Sequence, residues 1–160
     1  MQFTQSISYP GTVDEVVAMY LTPDYLERRF GRFVVEGSTT VSVEGERVSY
    51  AGTVRPELIP AAAARFVKSD LRVTFTEEWT LNEAEARSRT SVAVDGAPVS
   101  VEATSTLTPS EAGSTREVSG NLSVRVPLLG GRIEKEAVAR VGRLTDSEQA
   151  SAAQWLEEHR

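Results

Sequence analysis

The C-terminal run from Pro127 to Arg160 places Ile133, Ala137, Val138, Val141, Leu144, Ala152 and Leu156 near helical spacing, which predicts one long amphipathic helix. Such a helix is marginal alone in water and must lay its apolar stripe on something. Upstream, the dominant period is two. From Gln2 to Tyr9, Phe3, Gln5, Ile7 and Tyr9 alternate with Thr4, Ser6 and Ser8, as in a half-buried strand. Pro10-Gly11 ends it. Thr12 and Glu15 then form the pattern of a capping box for a short helix with Val13, Val16, Val17 and Tyr20 on its stripe. Thr22-Pro23 starts a second short helix carrying Tyr25, Leu26 and Phe30 and stopping at Gly31.

From Phe33 the period of two returns. Strands are predicted over Phe33 to Val43 and Arg47 to Arg55, joined by Glu44-Gly45-Glu46, with Val48, Tyr50, Gly52 and Val54 on one face of the second. Pro56 to Arg65 is a loop, or a loop with one helical turn. Lys68 to Leu81 is the longest alternating stretch, with Leu71, Val73, Phe75, Glu77, Trp79 and Leu81 sharing a face. After a turn over Asn82 to Ala86, a strand from Arg87 to Val94 leads to a hairpin at Asp95-Gly96. Pro98 to Thr108 follows, with Val99, Val101, Ala103, Ser105 and Leu107 inward. Thr108 to Ser114 reads as a loop. Arg116 to Val126 closes the series with Val118, Leu122, Val124 and Val126 inward. Thr145 to Glu148 matches a second capping box that would split the long helix. A continuous helix is the expectation.

The predicted order is strand, two short helices, six strands, long helix, or β-α-α-β-β-β-β-β-β-α. Each strand has one polar and one apolar face, as in an antiparallel sheet with one side in water. A curved sheet of about seven strands wrapped around the last helix hides both apolar surfaces at once. With 160 residues and no internal repeat, linker or low-complexity segment, residues 1–160 are read as one α+β domain.

These elements, with Thr12-Val13-Asp14-Glu15-Val16 opening the first helix and Pro127-Leu128-Leu129-Gly130-Gly131-Arg132-Ile133-Glu134 leading into the last, resemble the START-like or Bet v 1-like (SRPBCC) superfamily, the helix-grip fold. The likeness covers the whole chain and is strongest to an actinobacterial branch of unknown function. It implies a hydrophobic cavity between sheet and C-terminal helix that holds a lipid, sterol, polyketide or other apolar molecule.

Composition narrows the function further. The net charge of -6 argues against nucleic-acid binding, which needs a basic face to neutralise phosphates, and against electrostatic docking on anionic lipid. No apolar run approaches the ~20 residues of a membrane span. Met1 to Gln5 has neither a basic region nor an apolar signal core, so a cytoplasmic location is expected. There is no cysteine, and the one histidine, His159, sits beside the C-terminus. No thiolate nucleophile, metal site or cofactor is expected, and no catalytic residue is assigned. Gly130-Gly131 lacks the lysine and hydroxyl of a phosphate loop.

Glu77 is the exception to the pattern: it stands between Phe75 and Trp79 on the inward face. A buried carboxylate costs several kcal/mol unless it is paired or hydrogen-bonded. It is either a polar anchor for a ligand hydroxyl or amine, or it is paired with an arginine such as Arg55, or turned outward by a bulge. Tyr20, Tyr50, Phe75 and Trp79 either line a cavity or fill a core. The residues expected at the ligand are Tyr20, Phe30, Tyr50, Phe75, Glu77, Trp79, Val118, Leu122, Ile133, Val138 and Val141. The Pro56 to Arg65 loop and the Phe30 to Phe33 turn would be its lids. The expected function is binding of a small hydrophobic ligand, lipid, polyketide or isoprenoid-like, by a carrier or sensor. The alternatives are an aromatase/cyclase-type enzyme with Glu77 or a tyrosine as acid or base, and a co-chaperone-like interaction module. Nothing in the pattern decides an oligomeric state.

Overall fold

The computed structural model describes residues 1–67 and 69–160. The chain runs β1 (Gln2–Tyr9), α1 (Val13–Tyr20), α2 (Pro23–Phe30), β2 (Thr40–Glu44), β3 (Arg47–Thr53), α3 (Ala61–Ala64), β4 (Arg72–Leu81), β5 (Ala86–Asp95), β6 (Val99–Ser110), β7 (Gly113–Val124) and α4 (Gly130–Glu158). Two one-turn 3-10 helices cover Gly31–Phe33 and Pro56–Leu58. The seven strands form one antiparallel sheet in the order β1-β7-β6-β5-β4-β3-β2. β2 to β7 is thus a meander, and the first strand returns to pair with the last, Ile7 opposite Arg116 and Tyr9 opposite Ser114. α4 packs mainly on β1 and β7 and also meets α1 and α2. This is the helix-grip arrangement.

The local rules account for most of these boundaries. Thr12 and Glu15 form the reciprocal capping box, with the Glu15 N–H donating to Thr12 Oγ1 at 3.1 Å. Gly45 has φ of 60° at the first position of the two-residue β2–β3 turn, the position where hairpins need a left-handed residue. α4 is continuous through Thr145, so the second capping pattern does not break it.

Elsewhere tertiary contacts override the pattern. The strand expected from Phe33 begins only at Thr40; Phe33 ends a 3-10 turn, and Val34 makes a single bridge to Val54. Val34 is buried there against Gly52, where an added Cβ would lie 2.9 Å from Val34 Cγ1. The predicted Thr108 to Ser114 loop is mostly strand: β6 and β7 pair as far as Ser110 opposite Gly113. Gly113 has φ of 144°, and a Cβ would collide with the Tyr9 carbonyl. That close approach lets the end of β1 and Gly11 pack directly against the start of β7. Thr22 does not cap α2; its hydroxyl donates back to the Ala18 carbonyl at 2.7 Å. Leu71 precedes β4 rather than lying in it, and Lys68, at the start of that predicted stretch, lies outside the described residues.

Three apolar clusters fill the interior. The largest joins β1, α1, α2, β4 and the C-terminal half of α4 through Tyr9, Tyr20, Tyr25, Trp79, Trp155 and Leu156. A second holds Leu26, Val34, Val48, Tyr50 and Phe75 between α2 and β2–β4. A third, built on Leu122, Val124 and Ile133, ties the start of α4 to β7. The first is closed by stacked rings, with Tyr20 and Trp79 at 5.7 Å and 24°.

Candidate functional site

The inward phase of four neighbouring strands carries a polar network across the middle of the sheet. Glu77 comes from β4, Ser88 from β5, Ser105 from β6 and Arg116 from β7. Glu77 is 1% exposed and Arg116 3%. Arg116 donates from Nη2 to Glu77 Oε1 in a close ion pair and to Ser88 Oγ at 3.1 Å, and from Nε to Ser105 Oγ at 2.9 Å. Thr90 donates to Glu77 Oε1 at 3.3 Å. The expected partner Arg55 is elsewhere; its Nε donates to the Val34 carbonyl. A buried charge pair is tolerated only when both partners are present and well hydrogen-bonded, and Arg116 meets that condition.

A second arginine closes the network from the helices. Arg29 of α2 lies 2.8 Å through Nε from Glu148 Oε1 of α4, and 3.7 Å through Nη1 from Glu77 Oε2. Its guanidinium sits over Phe30, Phe75 and Tyr20 at 4.7 to 5.0 Å. Glu148 also accepts from the Tyr20 hydroxyl at 2.8 Å, and Tyr20 shares a hydrogen bond with Tyr9 at 2.6 Å. Burial works against the charge of both guanidiniums. The carboxylates outweigh it, Glu148 at Arg29 and Glu77 at Arg116, and raise both above the ordinary arginine value.

Among the described residues five side-chain atoms are buried with no hydrogen-bond partner: Tyr25 Oη, Arg29 Nη1, Tyr50 Oη, Glu77 Oε2 and Trp79 Nε1. An unmet buried donor or acceptor costs about 1–3 kcal/mol. Folded proteins rarely leave such atoms unpaired.

Two cavities lie between the sheet and the helices, and the second borders the network through Arg29 and Glu148. One, about 230 Å³, lies between the sheet, the segment after β3 and the first turns of α4. Leu58, Ile59, Pro60 and Ala63 cover it, β7 supplies Leu122 and Val124, and α4 supplies Ile133 and Ala137. Among the described residues its wall holds no charged side chain. The other, about 310 Å³, lies between α2, α4 and the sheet. Phe3, Phe30, Phe33, Phe75, Val92 and Leu144 form its apolar wall, and Tyr25, Arg28, Arg29, Arg32, Ser147, Glu148 and Ser151 its polar part. The two are neighbours: Val92 lines one and Val94, on the same face of β5, the other. The two predicted lids cover different cavities.

The residues expected at a ligand fall into groups. Leu122 and Ile133 line the first cavity, Phe30 and Phe75 the second. Val138 packs beside Leu122 and Ile133. Tyr20, Tyr50 and Trp79 lie in the packed clusters and line neither cavity. Glu77 sits under Arg29 in the ion network. Val118 and Val141 are half-buried and line neither cavity. Sequence reasoning passed over Arg29, Arg116, Glu148 and Trp155. The signals were present: Arg116 has the same two-residue phase as Val118 and Leu122, and Glu148 has the helical phase of Ala152, Trp155 and Leu156. Arg29 follows Tyr25 by four residues on α2.

All four tyrosines of the chain are buried, which gives a titration prediction. Burial, then the charge of Glu148, raises Tyr20 and Tyr25 well above their ordinary value. Burial raises Tyr50 likewise and pushes Tyr9 up to about 12. The fold therefore favours protonated phenols. That stabilisation is complete below the unfolded value of about 10 and is lost as pH rises through the folded values. Unfolding free energy in urea should be level up to about pH 10 and fall above it. The folded protein should show almost no tyrosinate absorbance at pH 10, where a free tyrosine is half ionised; a tyrosinate midpoint near 10 in the folded state would contradict the burial.

Similarity places the chain among known proteins. Residues 4–156 match the family described as "Protein of unknown function (DUF2505)". An uncharacterised protein of Mycobacterium tuberculosis, Rv0481c, is 26% identical over 96% of this chain and 95% of its own length. Among solved structures, the STAR-related lipid transfer protein from Xanthomonas axonopodis superposes with a TM-score of 0.63 at 12% identity, covering 98% of this chain and 85% of that one. Ara h 8.0201 superposes with a TM-score of 0.62 at 11% identity, covering 99% and 98%. At such identities these structures establish the fold alone. Among the described residues no helix is long and apolar enough to cross a membrane. A sheet that closes on its last helix in the START-like and Bet v 1-like manner, with a matching sequence profile across nearly its whole length, makes this chain a member of the DUF2505 family.

Proposed function

We propose that the protein binds a small hydrophobic molecule, lipid, polyketide or isoprenoid-like, between the sheet and α4, as a carrier or sensor. The observation that carries this reading is the cavity of about 230 Å³ walled by Leu58, Ile59, Ala63, Leu122, Ile133 and Ala137. Space lined by apolar side chains offers water no hydrogen-bonding partners, so an apolar guest fills it at little desolvation cost. Each square ångström of guest surface removed from water contributes about 25 cal/mol. The volume is slightly below the ~300–1,000 Å³ of typical ligand pockets, which favours a small guest or one that reaches into the neighbouring cavity. The fold shared with a protein described as a lipid transfer protein supports the same reading.

The test uses β-methylnaphthalene and equilibrium dialysis. Ala137 lines the cavity from α4, whereas Ala139 on the same helix is exposed. Ala137→Phe should weaken binding at least about tenfold by filling the space, and Ala139→Phe should leave it unchanged. Equal binding by both variants and the parent chain would remove this cavity as the site.

A further inference from the structure

We propose that the second cavity, between α2, α4 and the sheet, is an acid site: it takes a small molecule with an apolar body and a carboxylate. The site is separate from the apolar cavity under the first turns of α4 and does not depend on it. The charge of its lining carries the proposal. Three arginines line it, Arg28, Arg29 and Arg32, against one carboxylate, Glu148. The chain as a whole is acidic, with a net charge of -6, so this excess of cations is local to one concave place. Spacing puts it there. Arg28 and Arg32 stand four residues apart, on α2 and the 3-10 turn that continues it, and both are exposed, whereas the Arg29 side chain is 14% exposed.

The three arginines differ in how far their charge is already met. Arg29 pairs with Glu148 at 2.8 Å, and Glu148 also accepts from the Tyr20 hydroxyl, so the one carboxylate of the wall is taken. Arg28 pairs with Glu158 at 3.0 Å; both side chains are more than a third exposed, and such a pair contributes little. Among the described residues no carboxylate lies within ion-pair distance of Arg32, whose guanidinium rests over the Phe33 ring at 4.7 Å. Glu27 and Asp24, the other acids of α2, do not line the cavity. A guanidinium presents a planar fork of donors that matches a carboxylate. Apolar walls around charges of one sign strengthen their pull on an anion. Phe30, Phe33, Phe75 and Leu144 supply such walls and a place for the apolar body. An amine on the same body would meet like charges, and a neutral group would leave Arg32 as it stands.

Equilibrium dialysis of the full chain at neutral pH against β-naphthoate, β-methylnaphthalene and β-naphthylmethylamine tests this. The three share a ring system and carry an anionic, a neutral and a cationic group. Ala137→Phe fills the other cavity and so isolates this one. In that variant naphthoate should bind at least about tenfold tighter than methylnaphthalene, the scale of one hydrogen bond to a charged group, and the amine should bind most weakly. Ser147 lines the cavity from α4, and Ser147→Phe should weaken naphthoate at least about tenfold by taking up its space. Arg32→Gln in the parent chain is the milder variant, since Arg32 is exposed and has no ion pair to lose. It should weaken naphthoate severalfold and leave methylnaphthalene unchanged. Salt at about 1 M, which screens charges beyond about 3 Å, should shrink the advantage of naphthoate. No binding of naphthoate, no loss on Arg32→Gln, or equal binding of the amine each overturns the acid site. The apolar cavity fails separately, when Ala137→Phe leaves methylnaphthalene binding unchanged, whatever naphthoate does.

Discussion

Arg116→Met should lower the unfolding free energy by about 3–5 kcal/mol, the cost of leaving a buried charge without its partner. The charge left behind is Glu77, 1% exposed in the middle of β4. After the change its remaining cation is Arg29, at 3.7 Å and without a hydrogen bond. Ser88 and Ser105 lose a donor each at the same time. Converting both partners, Glu77→Leu with Arg116→Met, should recover much of the loss, because two charges of opposite sign leave together and apolar groups take their volume. Glu78, the next residue, provides the control: it faces water and pairs with Arg47 at 3.5 Å, both more than half exposed. Arg47→Met should stay within about 1 kcal/mol of the parent protein. Urea titrations of the four proteins measure all of this. A cost for Arg116→Met as small as that for Arg47→Met would mean that water reaches the network.

Trp155→Ala should cost about 3–5 kcal/mol, the usual range for deleting a large aromatic from a core. Trp155 holds the C-terminal end of α4 against the two short helices. Its ring meets Tyr25 edge-on at 5.4 Å, stacks on His159 at 3.8 Å and lies under Arg28 at 5.0 Å. Around it Tyr9, Tyr20 and Leu156 pack into the largest cluster. The loss should be local before it is global. Amides of α1, α2 and the end of α4 should exchange faster with solvent, while those of β5 and β6 stay protected until the chain unfolds. Uniformly raised exchange over the whole sheet would show that α4 has no independent role in closing this end. His159 belongs to the same assembly. Its Nδ1 lies 2.8 Å from the Trp155 carbonyl, at the C-terminal end of α4.

Much of the fold is legible along the chain because its signals are local. Alternation between Gln2 and Tyr9 or between Arg72 and Leu81 is enough to make a strand, and Thr12 with Glu15 starts a helix without help from elsewhere. The misread segments are those where distant groups intervene. Phe33 to Ser38 has strand-like residues but no continuous partner, since Val34 is drawn inward over Gly52. Thr108 to Ser114 has loop-like residues, yet the β6–β7 ladder continues through them. Lone glutamates and arginines are harder still. A charge at an inward position has no meaning until its partner is known, and Glu77 and Arg116 are 39 residues apart in the chain.

The order of elements, the inward faces of the strands and the amphipathic last helix can all be read along the chain, because each follows from spacing within a few neighbouring residues. Which inward aromatics fill the core and which leave space emerges only when distant segments pack together. The same packing brings Glu77 to Arg116 and Arg29 rather than Arg55, and divides the interior into an apolar and a polar-floored cavity. The physical reason is that periodicity tells a side chain which way to point. Packing volume and charge pairing depend on residues brought together from distant parts of the chain.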